Sequence, residues 1–285
     1  MDLIIPPKMY MNYGYDGLLW KASKVLPKDI VRLDLNSMKF IRPEAIILLI
    51  ILSAELFNRV TEPVEWINID NEVLLYLDRM EIGNLDFIRL PPIRKQFRWK
   101  KADKASINLT ELHIVKRPKD CEDVMKRTKE MIIKWFPDKV GEDYCRLIPT
   151  LITEIAGNSL EHSADSCGGI CYFVAQKYVT TKATQIVVAF GDPGMGIQNS
   201  LKKSNSWIAK DDLYAIKKAF NEGASCRSDR SGGLGFQQVK SVLQKYGGEV
   251  IIRSGKGVLT YNPKDSTKTK SFRESLSGTQ TAFIL

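Results

Sequence analysis

Long apolar runs are scarce in this chain. The longest, Ala45 to Leu52, falls far short of the ~20 residues needed to cross a bilayer. No N-terminal stretch has the basic, apolar, small-residue order of a signal peptide, so the expectation is a cytoplasmic chain with no membrane partner. Cysteine is sparse and odd in number: Cys121, Cys145, Cys167, Cys171 and Cys226 read as reduced thiols. Cys167 and Cys171 are four apart, but no second Cys/His pair lies near them to complete a tetrahedral zinc site, so small buried thiols are expected. The Walker Gly-Lys-Ser/Thr is missing, and no G-x-G-x-x-G opens a strand–turn–helix unit. These absences remove the P-loop and the dinucleotide fold from consideration.

What is present points to an anionic ligand. The formal charge is +9 over 285 residues, which suits a nucleotide, a nucleic acid or an acidic protein face. Six basic residues (Arg94, Lys95, Arg98, Lys100, Lys101, Lys104) crowd around Phe97 and Trp99. This stretch reads first as a solvated linker, with nucleic-acid binding by phosphate contact and stacking as the alternative.

The pattern divides the chain into residues 1–90, a basic linker at 91–105, and residues 106–285. In the first part, Ile30 to Leu35 and Val64 to Ile69 read as strands. Glu44 to Arg59 reads as a helix opened by Pro43, and Asn71 to Met80 as a helix capped by Asn71 or Asp70. Alternating strands and helices imply a small α/β layer fold. Pro91 and Pro92 mark the boundary. In the second part, Ile107 to Val115 is an alternating strand that carries His113 in a structural role. Asp120 to Trp135 and Glu142 to His162 are helical, the latter kinked or split at Pro149. Gly169 to Val179 and Thr184 to Phe190 form a hairpin. Asp211 to Asn221 and Gly235 to Tyr246 are helices, and Val250 to Arg253 and Thr279 to Leu285 close a sheet. The class is α/β (α+β).

Three segments carry candidate chemistry. In ITEIAGNSLEHS, Glu154, Asn158 and His162 recur every fourth residue and share one helical face. An ordinary amphipathic helix would look the same, so this motif needs a phosphate partner to mean more. The strand ATQIVVAF runs into Asp192-Pro193-Gly194-Met195-Gly196-Ile197. A carboxylate at a strand mouth can accept a hydrogen bond from an exocyclic amine, and the two glycines allow close backbone approach. Ser231-Gly232-Gly233-Leu234-Gly235-Phe236 precedes a helix, where free N–H groups and the dipole favour a polyphosphate. The polar segment Gln198 to Arg230, with Arg227 and Arg230, has the mobility and charge of a phosphate lid.

The order ExxxNxxxH, DPGMGI, SGGLGF and a terminal GTQTAFIL resembles the N, G1, G2 and G3 boxes of the GHKL superfamily of ATPases and kinases. The resemblance covers about residues 106 to 285 and implies a two-layer α/β sandwich, the Bergerat fold, that binds ATP and Mg²⁺. It implies Glu154 as general base, Asn158 as Mg²⁺ ligand and Asp192 as the adenine-reading carboxylate. Gly194 and Gly196 match the G1 glycines, and Gly232, Gly233, Leu234 and Gly235 match the phosphate loop. His162, Arg230 and Thr279 complete the implied ATP site. Glu-xxx-Asn-xxx-His resembles the anti-sigma-factor serine kinases more than the histidine kinases. Residues 1–90 are similar to the STAS fold of anti-sigma-factor antagonists, at the stretch VRLDLNSMKFIRPEAIILLIILSAEL. The stretch matching the phosphorylatable serine is Arg42-Pro43-Glu44-Ala45, with no hydroxyl. The resemblance implies an ATPase or a protein Ser/Thr kinase with a regulatory protein partner. A non-catalytic ATP switch, nucleic-acid association and a homodimer remain open alternatives.

Overall fold

The structure is a computed structural model that describes residues 1–93, 109–135, 149, 152, 153, 155–160, 169–179, 184–203, 210–224 and 234–285. The linker stretch 94–105 lies outside them.

The N-terminal part alternates strand and helix: β1 (Asp2–Ile4), α1 (Asp16–Ala22), β2 (Arg32–Asp34), α2 (Pro43–Val60), β3 (Val64–Ile67), α3 (Asn71–Arg79) and β4 (Ile88–Arg89). The four strands pair in parallel in the order β1-β2-β3-β4. Parallel neighbours need a crossover between them, which each intervening helix supplies. Asp70 caps α3, its carboxylate accepting from the Glu72 N–H. Pro43 opens α2, where its missing N–H costs nothing.

Helix α2 is apolar on nearly every face, which marks a helix buried on all sides rather than an amphipathic one. Its neighbours are two sheets. The second sheet comprises β5 (Leu109–Val115), β6 (Cys171–Val179), β7 (Thr184–Asp192), β8 (Glu249–Tyr261) and β9 (Lys268–Ile284). It is antiparallel throughout, in the order β5-β6-β7-β9-β8. One face of this sheet, through Phe173, Val188, Phe190, Ile252 and Phe283, packs on α4 (Pro118–Trp135), the helical residues 155–160 (α5), α7 (Asp212–Glu222) and α8 (Leu234–Tyr246). The opposite face, through Tyr172, Val174, Ala189, Ile251 and Ala282, joins α1, α2 and α3 in one continuous core. The described chain is therefore layered as parallel sheet, helices, antiparallel sheet, helices, and the α/β (α+β) class read from the sequence holds.

Two contacts show how tightly the middle layer is fitted. A Cβ on Gly191 of β7 would overlap Ile47 Cγ2 of α2 and stand 3.4 Å from Ile51 Cγ1, so the helix lies directly on the bare backbone. Tyr76 of α3 donates to Gln176 Oε1 of β6 at 2.6 Å.

The other face of the parallel sheet carries a cross-strand row, Asp2, Arg32, Glu65 and Arg89, of alternating charge. Arg32 pairs with Asp2 at 2.7 Å and Arg89 with Glu65 at 3.1 Å. Parallel sheets are ordinarily covered on both faces, and here charged side chains take the place of a cover.

Strands β8 and β9 are far longer than the closing strands expected at 250–253 and 279–285. The sequence reading also missed β1, α1, β4 and the short helix α6 (Gly196–Lys202). Among the described residues, no helix is long and apolar enough to cross a membrane.

Candidate nucleotide site

The site is built where β7 ends. Asp192, its last residue, is 3% exposed. Its carboxylate accepts from the Gly194 N–H at 2.9 Å, and from the Thr279 N–H and the Ser159 hydroxyl. Burial nevertheless dominates and pushes its pKa up to about 7. The carboxyl is thus poised: it is protonated in mildly acid solution and anionic above neutrality, when it can accept from an amine donor.

Two chain segments, residues 194–197 and 278–279, converge on Asp192. Residues 194–197 turn the chain into α6, whose first residue, Gly196, has φ +77°. Thr279 lies opposite Asp192 in the β7–β9 ladder. Gly278, at φ +74°, backs directly onto the Asp192 carbonyl. Ser254 ties these together: its hydroxyl accepts from the Ile197 N–H at 2.8 Å and donates to the Gly278 carbonyl at 3.2 Å.

Around this corner lies a pocket with apolar walls from Ile155, Ile197, Leu201, Ala219 and Phe236. Its polar lining comes from Asn158, Ser159, Asp192, Ser200, Thr279 and Thr281. Apolar walls with a few convergent polar groups suit a flat heteroaromatic ring oriented by hydrogen bonds. Gly196 and Gly235 also line it. Gly235 lies in the first turn of α8, so the positive end of that helix faces the same pocket.

The residues singled out from the sequence fall as follows. Asn158, on α5, is half-buried and lines the pocket with Asp192, Gly196, Gly235 and Thr279. Gly194 is buried and donates to Asp192. Leu234 is the first residue of α8. Glu154, His162, Arg230, Gly232 and Gly233 lie outside the described residues. The expected lid, Gln198 to Arg230, contains the end of α6 and all of α7. Ala215, Ile216, Ala219 and Phe220 of α7 are buried, so this part belongs to the core.

Ser159 and Ser254 escaped the sequence reading. Each carries a small hydroxyl whose partner lies far away in sequence, so only the folded arrangement reveals its role. Cys171, at the start of β6, is fully buried and its thiol is pushed well above the ordinary range, chiefly by burial. His113 is likewise pushed down to about 4 by burial and stacks on Phe173 at 6.0 Å, a packing role. Within the stretch Arg42-Pro43-Glu44-Ala45, Glu44 is completely buried at the start of α2. It accepts from Arg42 Nε at 2.7 Å. No family model matches the sequence, and no curated protein matches it.

Proposed function

We propose that this chain binds Mg²⁺-ATP and uses it in one of two ways: it hydrolyses the nucleotide or passes its γ-phosphoryl to a Ser or Thr of a protein partner. The observation that carries this reading is the convergence of Asn158, Asp192, Gly196, Gly235 and Thr279 on one pocket around a buried carboxylate. Spread from position 158 to position 279, these residues have no local reason to meet; the boxes of the GHKL superfamily, in a Bergerat fold, supply one.

In this reading Asp192 accepts from the adenine amine while Thr279 and Ser159 hold its carboxylate in place. The start of α8, with Gly232, Gly233 and Leu234 before and at it, receives the phosphates. Asn158 offers its amide oxygen to Mg²⁺, which supplies charge neutralisation at the phosphates when bound. Few protein ligands beside substrate phosphates and water is the ordinary arrangement for this ion. Glu154, four residues before Asn158, orients water or the acceptor hydroxyl and takes its proton, and His162 and Arg230 complete the set of ATP-binding residues that the resemblance implies. Catalysis is then mostly positioning and electrostatics. The N-terminal layer, STAS-like in this account, is where a regulatory protein docks.

A second reading, a switch that binds ATP without turning it over, is favoured by one observation: the N-terminal core is continuous with the back of the nucleotide sheet. Nucleic-acid association through residues 94–104 is a separate proposal that rests on sequence alone.

Phosphate release from Mg²⁺-ATP by the full chain, beside Glu154→Ala, separates these readings. The expected result is release lowered at least about a hundredfold in Glu154→Ala with ATP affinity kept. Equal release from both proteins removes Glu154 as the base. No release from wild type despite tight ATP binding leaves the switch, or a kinase whose labelled phosphate appears on a partner protein.

A further inference from the structure

The β8–β9 ladder is broken beside the nucleotide pocket. Ser254 pairs with Thr279, but the next residue, Gly255, pairs with Leu276, so Ser277 and Gly278 are extruded as a bulge. A bulge loses ladder hydrogen bonds and re-aims its neighbours, which is why bulges gather at functional sites. Its backbone groups must then be satisfied from elsewhere. The Ser277 N–H donates to Glu55 Oε2 at 3.0 Å, and Glu55 belongs to α2 of the N-terminal layer. The Ser277 carbonyl accepts from Gln280 Nε2 at 2.7 Å. Gln280 Oε1 in turn accepts from Arg253 Nη1 at 3.1 Å. Arg253 is fully buried, with its guanidinium 5.3 Å from the ring centres of both Tyr15 and Phe272. Tyr15 stands at the start of α1.

We propose that Glu55 is a positioning residue for the nucleotide pocket: by holding the Ser277 N–H it sets the bulge that places Thr279 and backs Gly278 against Asp192. The inference rests on the ATP-binding reading above and deepens it. Neither Glu55 nor any other residue of α2 lines the pocket. The N-terminal layer therefore acts on the nucleotide through the bulge, and linkage makes the effect reciprocal: nucleotide binding must stabilise the α2 contact as much as that contact favours the nucleotide. A protein that binds the N-terminal layer and shifts α2 would change ATP affinity by this route. Arg59, which donates to Glu55 Oε1 at 3.2 Å, keeps the carboxylate aimed.

The test uses the full chain. Equilibrium binding of Mg²⁺-ATP is measured for wild type, Glu55→Ala and Glu55→Gln, with cooperative thermal melting to establish that each is folded. Alanine removes the acceptor and is expected to weaken ATP binding about tenfold; glutamine keeps a carbonyl acceptor and is expected to stay within about threefold. A helix that merely filled space would not distinguish the two in this way. In parallel, amide hydrogen exchange of the wild-type protein is followed with and without Mg²⁺-ATP. Slowed exchange at residues 51–57 as well as in the pocket segments is the expected result, and it decides the matter even if Glu55→Ala does not fold. Unchanged affinity in a folded Glu55→Ala variant, or protection confined to the pocket segments, overturns the proposal. If wild type binds no ATP, the functional reading fails and this one with it; binding that is equal in wild type and Glu55→Ala strikes this proposal alone.

Discussion

Alanine at position 278 is expected to abolish the proposed ATP binding and to lower the stability of the whole chain. Gly278 has φ +74°, a region that side chains with a Cβ rarely occupy. A Cβ there would overlap the Asp192 carbonyl oxygen outright and stand 2.6 Å from the Asp192 carbonyl carbon and 2.8 Å from the Gly194 nitrogen. All three atoms are backbone, so no rotamer change relieves the clash. The chain must move β9 away from β7 at the point where Thr279 and Gly194 hold the Asp192 carboxylate. The expected cost is about 3 kcal/mol, read by urea denaturation, with no saturable ATP signal from the folded fraction. Wild-type affinity in Gly278→Ala would show that the bulge does not shape the pocket.

The second large effect lies on the neighbouring strand β7, on the face that meets α2. Gly191→Ala inserts a methyl into the seat of Ile47 on α2, a helix whose surroundings are packed on both sides. The expected loss is about 2 kcal/mol. Ile47→Ala alone leaves a cavity and costs about 3 kcal/mol. Because Ile47→Ala removes the Cγ2 that meets the new methyl, the double variant is expected to lose clearly less than the sum of the two. A double-mutant cycle by urea denaturation measures the difference. Strictly additive losses would mean that α2 does not lie on Gly191, and the continuity of the two cores would go with it.

These predictions depend on features of uneven legibility. The run from Glu44 to Arg59, opened by Pro43, announced a helix, but its burial on nearly every side emerged only from the fold. Which surface would cover it could not be read, because any apolar sheet face satisfies the same pattern. Asp192 with Gly194 and Gly196 was visible as a strand end followed by a glycine turn, and Asn158 as one of a helical triplet. Both signals are local, and their meeting in one pocket is not. The long β8–β9 hairpin was hidden by Gly255, Gly257 and Gly278, which break the alternation that identifies a strand. In the folded chain these glycines allow close approach: a Cβ on Gly257 would stand 2.8 Å from the Leu213 nitrogen at the start of α7. Ser254, Ser159 and Glu55 gave no signal at all, since a hydroxyl or a carboxylate acquires such a role only from a partner distant in sequence. The short strands β1 and β4 were missed because two or three residues are too few to show a period.

Whether the Asp192 pocket binds ATP is decided by calorimetric titration of the full chain with Mg²⁺-ATP, beside Asp192→Asn. Wild type is expected to show saturable one-site binding that weakens as the pH falls below about 7, because protonation removes the negative charge and sets an O–H against the amine donor. A loss of about a hundredfold or more is expected in Asp192→Asn, which faces the adenine amine with a competing donor. Absence of binding by the folded wild-type chain, or equal binding by Asp192→Asn, would contradict ATP binding in this pocket.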